Sequence, residues 1–288
     1  MNKKNNINNI SINNTNNTND NTAVLNVNNL CIKLEGTSKN KKPLLSDLSF
    51  SVAKGKITAI VGQSGSGKSL TSLSIIGLLP PSLIASGSIL LNGKEIIKES
   101  EKNMIKRRGS EAAIVFQDPS SSLDPLMKIG KQMSLPLKKY TGYTGSSLRE
   151  AVFTSLQEVK LPDIERIAKS YPHQISGGQR QRVAIALALA CSPQLLIADE
   201  PTSALDASVQ DAIVDLIIDC SKKRNIAVVF ITHDLSIINK IADNVIVLKD
   251  GVIIESGTKT DIMQRPQTDY TKLLLECSKM LEKGNKKE

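Results

Sequence analysis

The 288-residue sequence contains no tryptophan, and aromatic residues make up only 3% of it. A core with so few large rings must be filled mainly by Ile, Leu, Val and Ala, which belong to an apolar fraction of 40%. The four cysteines, Cys31, Cys191, Cys220 and Cys277, are scattered and form no Cys-x-x-Cys pair. That spacing argues against a zinc site and a disulfide framework, and it suits a reducing cytosol. No apolar run approaches the ~20 residues that a membrane-spanning helix needs, so the sequence reads as soluble, or peripheral at most. A basic-then-apolar secretion signal is missing too.

Neither sign of charge is scarce, but 37 Lys and Arg against 28 Asp and Glu leave a net charge of +9. Such an excess suits an anionic partner: a nucleotide, a nucleic acid or the inner membrane face. Much of it lies in the tails, at Lys3, Lys4, Lys279, Lys283, Lys286 and Lys287, where solvated charge is the preferred explanation. Residues 1–22 are half asparagine with no apolar periodicity, and they read as a disordered tail. No internal repeat is visible. One domain is expected over residues 23–275, followed by a polar, basic tail over residues 276–288.

The most informative stretch is Gly62-Gln63-Ser64-Gly65-Ser66-Gly67-Lys68-Ser69. It fits the phosphate-loop pattern Gly-x-x-x-x-Gly-Lys-Ser/Thr. The β-branched run from Lys56 to Val61 reads as a buried strand before it, and Leu70 to Leu79 as a helix after it. In that context the glycines let successive N–H groups turn inward around phosphate oxygens at a helix N-terminus. Lys68 would reach the β- and γ-phosphates, and the Ser69 hydroxyl would ligate Mg²⁺.

Val24 to Leu34 and Leu44 to Val52 read as strands joined by a turn from Gly36 to Pro43. Ile89 to Leu91 and Glu95 to Ile97, joined at Asn92-Gly93, read as a hairpin. Together they predict an antiparallel layer beside the phosphate-loop sheet. A helical subdomain is expected over about residues 120–180, with a run from Leu148 to Val159. Ala112 to Phe116, Leu195 to Ala198, Ile226 to Ile231 and Val245 to Leu248 read as further buried strands, with a turn at Lys249 to Gly251 before Val252 to Ile254. Helices are expected from Val183 to Cys191, from Ser208 to Arg224, and beyond Asp261.

In parallel α/β sheets, ligands bind off the carboxyl ends of strands. The phosphate loop, Gln117, Asp199-Glu200 and His233 each follow a predicted buried strand. Asp199 suits a Mg²⁺ partner, and Glu200 is placed to deprotonate an attacking water. Two adjacent acids also fit a helix cap with a surface charge; Gln117 and His233, read singly, fit a strand-end polar group and a capping or core histidine. Ser176-Gly177-Gly178-Gln179 ahead of a helix offers a second anion-binding N-terminus.

With these residues in order, the sequence from about residue 24 to 275 resembles an ATP-binding-cassette (ABC) ATPase. The resemblance implies an α/β P-loop NTPase fold with a mostly parallel core sheet, an antiparallel β layer and a helical subdomain. It makes Gly62–Ser69 the Walker A loop, Gln117 the Q-loop glutamine beside catalysis and Mg²⁺, and Ile175–Gln179 the signature, with Ile175 in place of the commoner Leu. Leu195–Asp199 becomes the Walker B strand, Glu200 the catalytic carboxylate, Ser203–Asp206 the D-loop and His233 the switch histidine. Ser122-Leu123-Asp124-Pro125, Tyr171-Pro172-His173-Gln174 and Pro266 to Tyr270-Thr271 are similar to the peptide/nickel importer group. Peptide members carry a longer, cysteine-containing C-terminal extension and an adenine-stacking aromatic in the first strand. Here the tail is short and Leu34 takes the aromatic's place, as in nickel-import members, so the reading leans to nickel with peptide import as the alternative. The implied ligands are ATP and Mg²⁺. The implied partners are a second ATPase chain (heterodimer before homodimer), two membrane permease subunits and an extracytoplasmic binding protein, with no nucleic acid, at the cytoplasmic face of the membrane. A non-transport cassette protein is the remote alternative: ribosome-acting factors carry two cassettes, and repair ATPases a long coiled coil.

Overall fold

The computed structural model describes residues 23–36, 42–203 and 205–284. The Asn-rich tail, residues 37–41 of the first expected turn, Ala204 of the D-loop segment and the last four residues lie outside the described residues.

Strands β1 (Ala23–Leu34) and β2 (Leu45–Ala53) pair antiparallel, and β3 (Ile57–Val61) crosses to a second sheet. The phosphate-loop segment leads into α1 (Lys68–Ile75). The chain then returns to the first sheet as β4 (Leu83–Leu91) and β5 (Lys94–Glu95), giving the order β2-β1-β4-β5. Asn92 and Gly93 both have positive φ (51° and 73°), the geometry of a type I′ hairpin turn. After α2 (Glu101–Arg107) and β6 (Ala112–Val115) comes the helical unit: α3 (Ile129–Thr141), α4 (Gly145–Glu158), α5 (Ile164–Lys169) and α6 (Gly177–Leu189). The remainder alternates: β7 (Leu195–Asp199), α7 (Ala207–Arg224), β8 (Ala227–Thr232), α8 (Leu235–Ile241), β9 (Asn244–Lys249) and β10 (Val252–Thr258), then α9 (Lys259–Gln264) and α10 (Asp269–Gly284).

The second sheet has the order β10-β9-β3-β8-β7-β6, parallel throughout except for β10 at its edge. Every residue of β3, β7 and β8 is buried, as a parallel sheet covered on both faces requires. Alternation along one strand divides the core. Leu195 and Ile197 pack towards the antiparallel layer, while Leu196 and Ala198 pack with Ile185 of α6 and Ile213 of α7. Burying such an apolar side chain contributes roughly 1.5–3 kcal/mol, so these two cores hold the layers together.

Register fixes the functional edge. Val61 pairs with Thr232, Ile231 with Asp199, and Ala198 with Val115. The segments that leave β3, β8, β7 and β6 therefore emerge side by side.

Several elements differ from the sequence expectation for physical reasons. The helix after the phosphate loop ends at Ile75, short of Leu79, because Gly77 adopts φ 65° and Pro80-Pro81 follow. Strand β5 stops at Glu95, whose carboxylate itself accepts the Ile89, Ile96 and Ile97 N–H groups. Helix α6 starts at Gly177, six residues before Val183, because a capping box at Ser176 nucleates it. The short helices α2 and α8 were not expected. The division at 275/276 falls inside α10. Among the described residues no helix is long and apolar enough to cross a membrane.

Candidate active site

The loop from Gly62 to Ser69 is shaped by what its neighbours leave no room for. At Gly62, with φ 156°, a Cβ would lie 2.1 Å from the Leu248 carbonyl oxygen of β9; at Gly67, with φ 105°, it would lie 2.3 Å from Leu45 Cδ2. Only glycine fits either place. The Gly251 N–H donates to the Ser66 carbonyl at 3.0 Å, tying the loop to the β9–β10 turn. Lys68 is only 5% exposed. Its ammonium donates to the Gly62 and Gln63 carbonyls at 2.8 and 3.1 Å and lies 3.8 Å from Glu200 Oε1.

Asp199 ends β7 beneath α1. Its Oδ1 lies 3.4 Å from the Ser69 hydroxyl, and its Oδ2 accepts from the Ser72 hydroxyl at 2.9 Å. Burial pushes the Asp199 carboxyl above the usual carboxylate range. The Ser72 and Ser69 bonds and the Lys68 charge pull it back, and the neighbouring Glu200 charge adds to the rise. Glu200 follows in a left-handed conformation (φ 46°), with its N–H donating to the Ile231 carbonyl at 3.0 Å. A non-glycine residue held there costs about 1–3 kcal/mol. The turn aims its carboxylate at Lys68 on one side and at His233 on the other, whose Nδ1 is 3.2 Å from Oε2.

The phosphate loop, Gln117, Glu200 and His233 line one cleft of about 600 Å³, with Asp199 behind Ser69. Three of the expected site elements lie elsewhere. Ser176 and Gln179 are engaged in their own capping box: the Ser176 hydroxyl accepts the Gln179 N–H and the Gln179 amide oxygen accepts the Ser176 N–H. A Cβ at Gly177 would meet nothing nearer than 4.0 Å, whereas one at Gly178 would sit 2.8 Å from Val209 Cγ1. Asp206 is the N-cap residue of α7, without a side-chain cap bond. Leu34 ends β1 opposite Leu83, 43% exposed and outside the cleft lining.

Sequence reasoning missed Ser72. Its signal was modest: a serine three residues beyond Ser69, hence on the same helical face, where the burial pattern calls for an apolar residue. It is fully buried, and its one proton has two acceptors within reach, Asp199 and the Ser69 carbonyl at 2.8 Å.

A family model described as ABC transporter matches residues 45–203, more than half of the chain. The chain belongs to the ABC transporter family. As an ABC ATPase it binds and hydrolyses ATP and supplies the energy-coupling part of a transporter. It is 43% identical over 240 residues to the metal-staphylopine import system ATP-binding protein CntD of Staphylococcus aureus (strain NCTC 8325 / PS 47), covering 83% of this chain and 89% of that one. It is 41% identical over 269 residues to the oligopeptide transport ATP-binding protein OppD of Bacillus subtilis (strain 168), covering 93% of this chain and 75% of that one. The ATP-binding cassette MJ0796, seen as a dimer in a post-hydrolysis state with ADP and Pi, superposes with a TM-score of 0.71 at 30% identity, over 82% of this chain and 98% of that one.

The raised Asp199 carboxyl makes this ABC ATPase testable through its stability. The folded chain holds that proton more tightly than the unfolded chain, so folding stability falls as pH rises from the ordinary carboxylate value, about 4, through the raised one. Asp199→Asn removes the charge. Without nucleotide, the variant should melt above the parent near neutral pH, and the gap should close as pH drops below about 4. Thermal unfolding across pH checks this; a lower melting point for Asn at neutral pH would contradict it.

Proposed function

We propose that this chain drives uptake of nickel, as the ion or a chelate, as one of two ATPase subunits at the cytoplasmic face of the membrane. The observation that carries the substrate reading is the match to the metal-staphylopine import ATPase over 89% of that protein's length, against 75% for the peptide-import ATPase. The non-aromatic Leu34, which would offer adenine only apolar contact, supports the same reading. Peptide import is the second reading, favoured by 41% identity to OppD over 93% of this chain.

In the proposed chemistry, the loop N–H groups and Lys68 hold the β- and γ-phosphates, with Lys68 exchanging its carbonyl partners for phosphate oxygens. Ser69, Asp199 and Gln117 are the residues that would hold Mg²⁺. They fit it: all three present oxygen donors, and Ser69 and Asp199 already face each other. Mg²⁺, when bound, neutralises charge on the β- and γ-phosphates. Glu200 takes a proton from the attacking water as the water oxygen bonds to the γ-phosphorus and the bond from that phosphorus to the β–γ bridging oxygen breaks, releasing phosphate and ADP. His233 holds the Glu200 carboxylate in place. Ser176, Gly177, Gly178, Gln179 and Asp206 serve the nucleotide of the second ATPase chain, a different gene product in preference to a second copy. Two permease subunits and an extracytoplasmic binding protein complete the assembly.

Glu200→Gln should keep ATP binding while turnover falls at least ~100-fold, the usual scale for a positioned base. ATPase assays on the assembled transporter decide it, and parent-like hydrolysis would remove the base assignment. The signature is tested at Gly177, where an added Cβ would meet nothing nearer than 4.0 Å. Gly177→Asp should spare ATP binding by the isolated chain and abolish hydrolysis in the complex, whereas Lys68→Ala should weaken binding by the isolated chain; equal binding losses would end the two-chain site. For the substrate, deleting the gene should reduce cellular nickel uptake and nickel-enzyme activity, both restored by high external nickel. Unchanged nickel uptake with failed growth on peptides as the nitrogen source would put the peptide reading in its place.

A further inference from the structure

Pro266, Tyr270 and Thr271 stand out in the sequence, yet the chemistry above does not use them. The fold ties this segment down at one residue. Glu255 of β10 accepts the Gln267 N–H on one oxygen at 2.7 Å, and the Thr268 N–H and hydroxyl on the other at 3.0 and 2.9 Å. Burial alone would raise the Glu255 carboxyl; hydrogen bonds from Thr271, Gln267 and Thr268 outweigh it and hold the group below its usual range. Thr271 is buried, and Leu275 one turn on packs with Val245, Val247 and Ile238. The first turn of α10 is thus fixed to the sheet.

Tyr270 projects from that turn onto the phosphate loop. Its hydroxyl accepts the Gln63 N–H at 3.2 Å, across 207 positions of sequence, and its ring lies 4.7 Å from the Lys249 ammonium. The Gln63 nitrogen and the Gly62 carbonyl belong to one planar peptide unit, and in a trans peptide the N–H and C=O point opposite ways. Lys68 donates to that carbonyl at 2.8 Å. Tyr270 and Lys68 therefore hold the same peptide from opposite edges. If Lys68 turns to a phosphate, the tyrosine bond remains to keep the unit in place.

We propose that Tyr270 is a positioning residue for ATP binding: it sets the Gly62–Gln63 peptide, and with it Lys68, so that docking of α10 and binding of nucleotide favour each other. The coupling is reciprocal, as linkage requires. It rests on assigning residues 62–69 to the phosphates, which Lys68→Ala tests separately.

The test is Tyr270→Phe in the full chain, which keeps the ring and its place over Lys249 and removes only the hydroxyl. ATP should bind about three- to tenfold more weakly, the effect of one lost hydrogen bond. The thermal midpoint of the nucleotide-free chain should stay close to the parent's. In the assembled transporter KM for ATP should rise with kcat retained, and the Gln63 amide signal should shift in nitrogen-15 spectra of the chain. AMP-PNP should slow amide exchange at the start of α10 in the parent and not in the variant. Glu255→Ala, which frees the same turn without touching the loop, should reproduce the weaker ATP binding. Parent-like ATP binding by Tyr270→Phe alongside weakened binding by Lys68→Ala overturns the proposal alone, and parent-like binding by both overturns the loop assignment beneath it. A Phe variant whose loss of affinity is matched by a drop in melting temperature would show an ordinary packing tyrosine, and the proposal would fall.

Discussion

An ammonium group withdrawn from water has to be surrounded by oxygen, and Lys68 is almost entirely withdrawn. Its oxygens come from the Gly62 and Gln63 carbonyls, with the Glu200 carboxylate beyond. Two successive carbonyls can turn inward only because the backbone folds back at Gly62. That fold brings the loop against the Leu248 carbonyl, where a Cβ has no space. The closeness of Leu248 in turn follows from β9 lying beside β3 in the sheet. One solvation requirement thus runs from a side chain through backbone angles to strand order.

The acidic side of the cleft is arranged at the expense of stability. Asp199 is buried, which pushes its carboxyl above the usual carboxylate range, and Glu200 occupies a left-handed conformation that most residues avoid. Neither would persist in a loop free to relax. They are held because β7 is paired on both flanks, with β6 and β8, and because the Glu200 N–H is bonded to Ile231 of β8. The sheet absorbs the strain, and the two acids keep the directions that the proposed proton transfer and cation binding would need.

What could be read before the fold was known divides along a physical line. The phosphate loop, the strands that precede Gln117, Glu200 and His233, and the Asn92-Gly93 hairpin were legible because each depends on neighbours within a few residues. Apolar runs gave the strands, and positive-φ residues gave the turn. Ser72 and Tyr270 were not legible, since their meaning lies in partners 127 and 207 positions away. Helices α2 and α8 have seven residues each, too short for apolar periodicity to declare itself. The end of β5 escaped notice because a side chain, Glu95, takes the Ile89 N–H that pattern reading assigns to the backbone ladder, while the Ile96 N–H still donates to the Ile89 carbonyl. The start of α6 was placed too late because two glycines read as loop, whereas the Ser176–Gln179 capping box compensates for them.

Those two glycines are chemically identical neighbours, yet they answer to different judges. A side chain at 178 would press on Val209, whose branched carbons cannot swing aside, and the flawed chain would sample open states that proteases clear. At 177 an added Cβ meets nothing nearer than 4.0 Å, so a chain carrying a small error there meets no such clash and passes the checks that a cell applies to folding. The fold polices one position and is blind to the next.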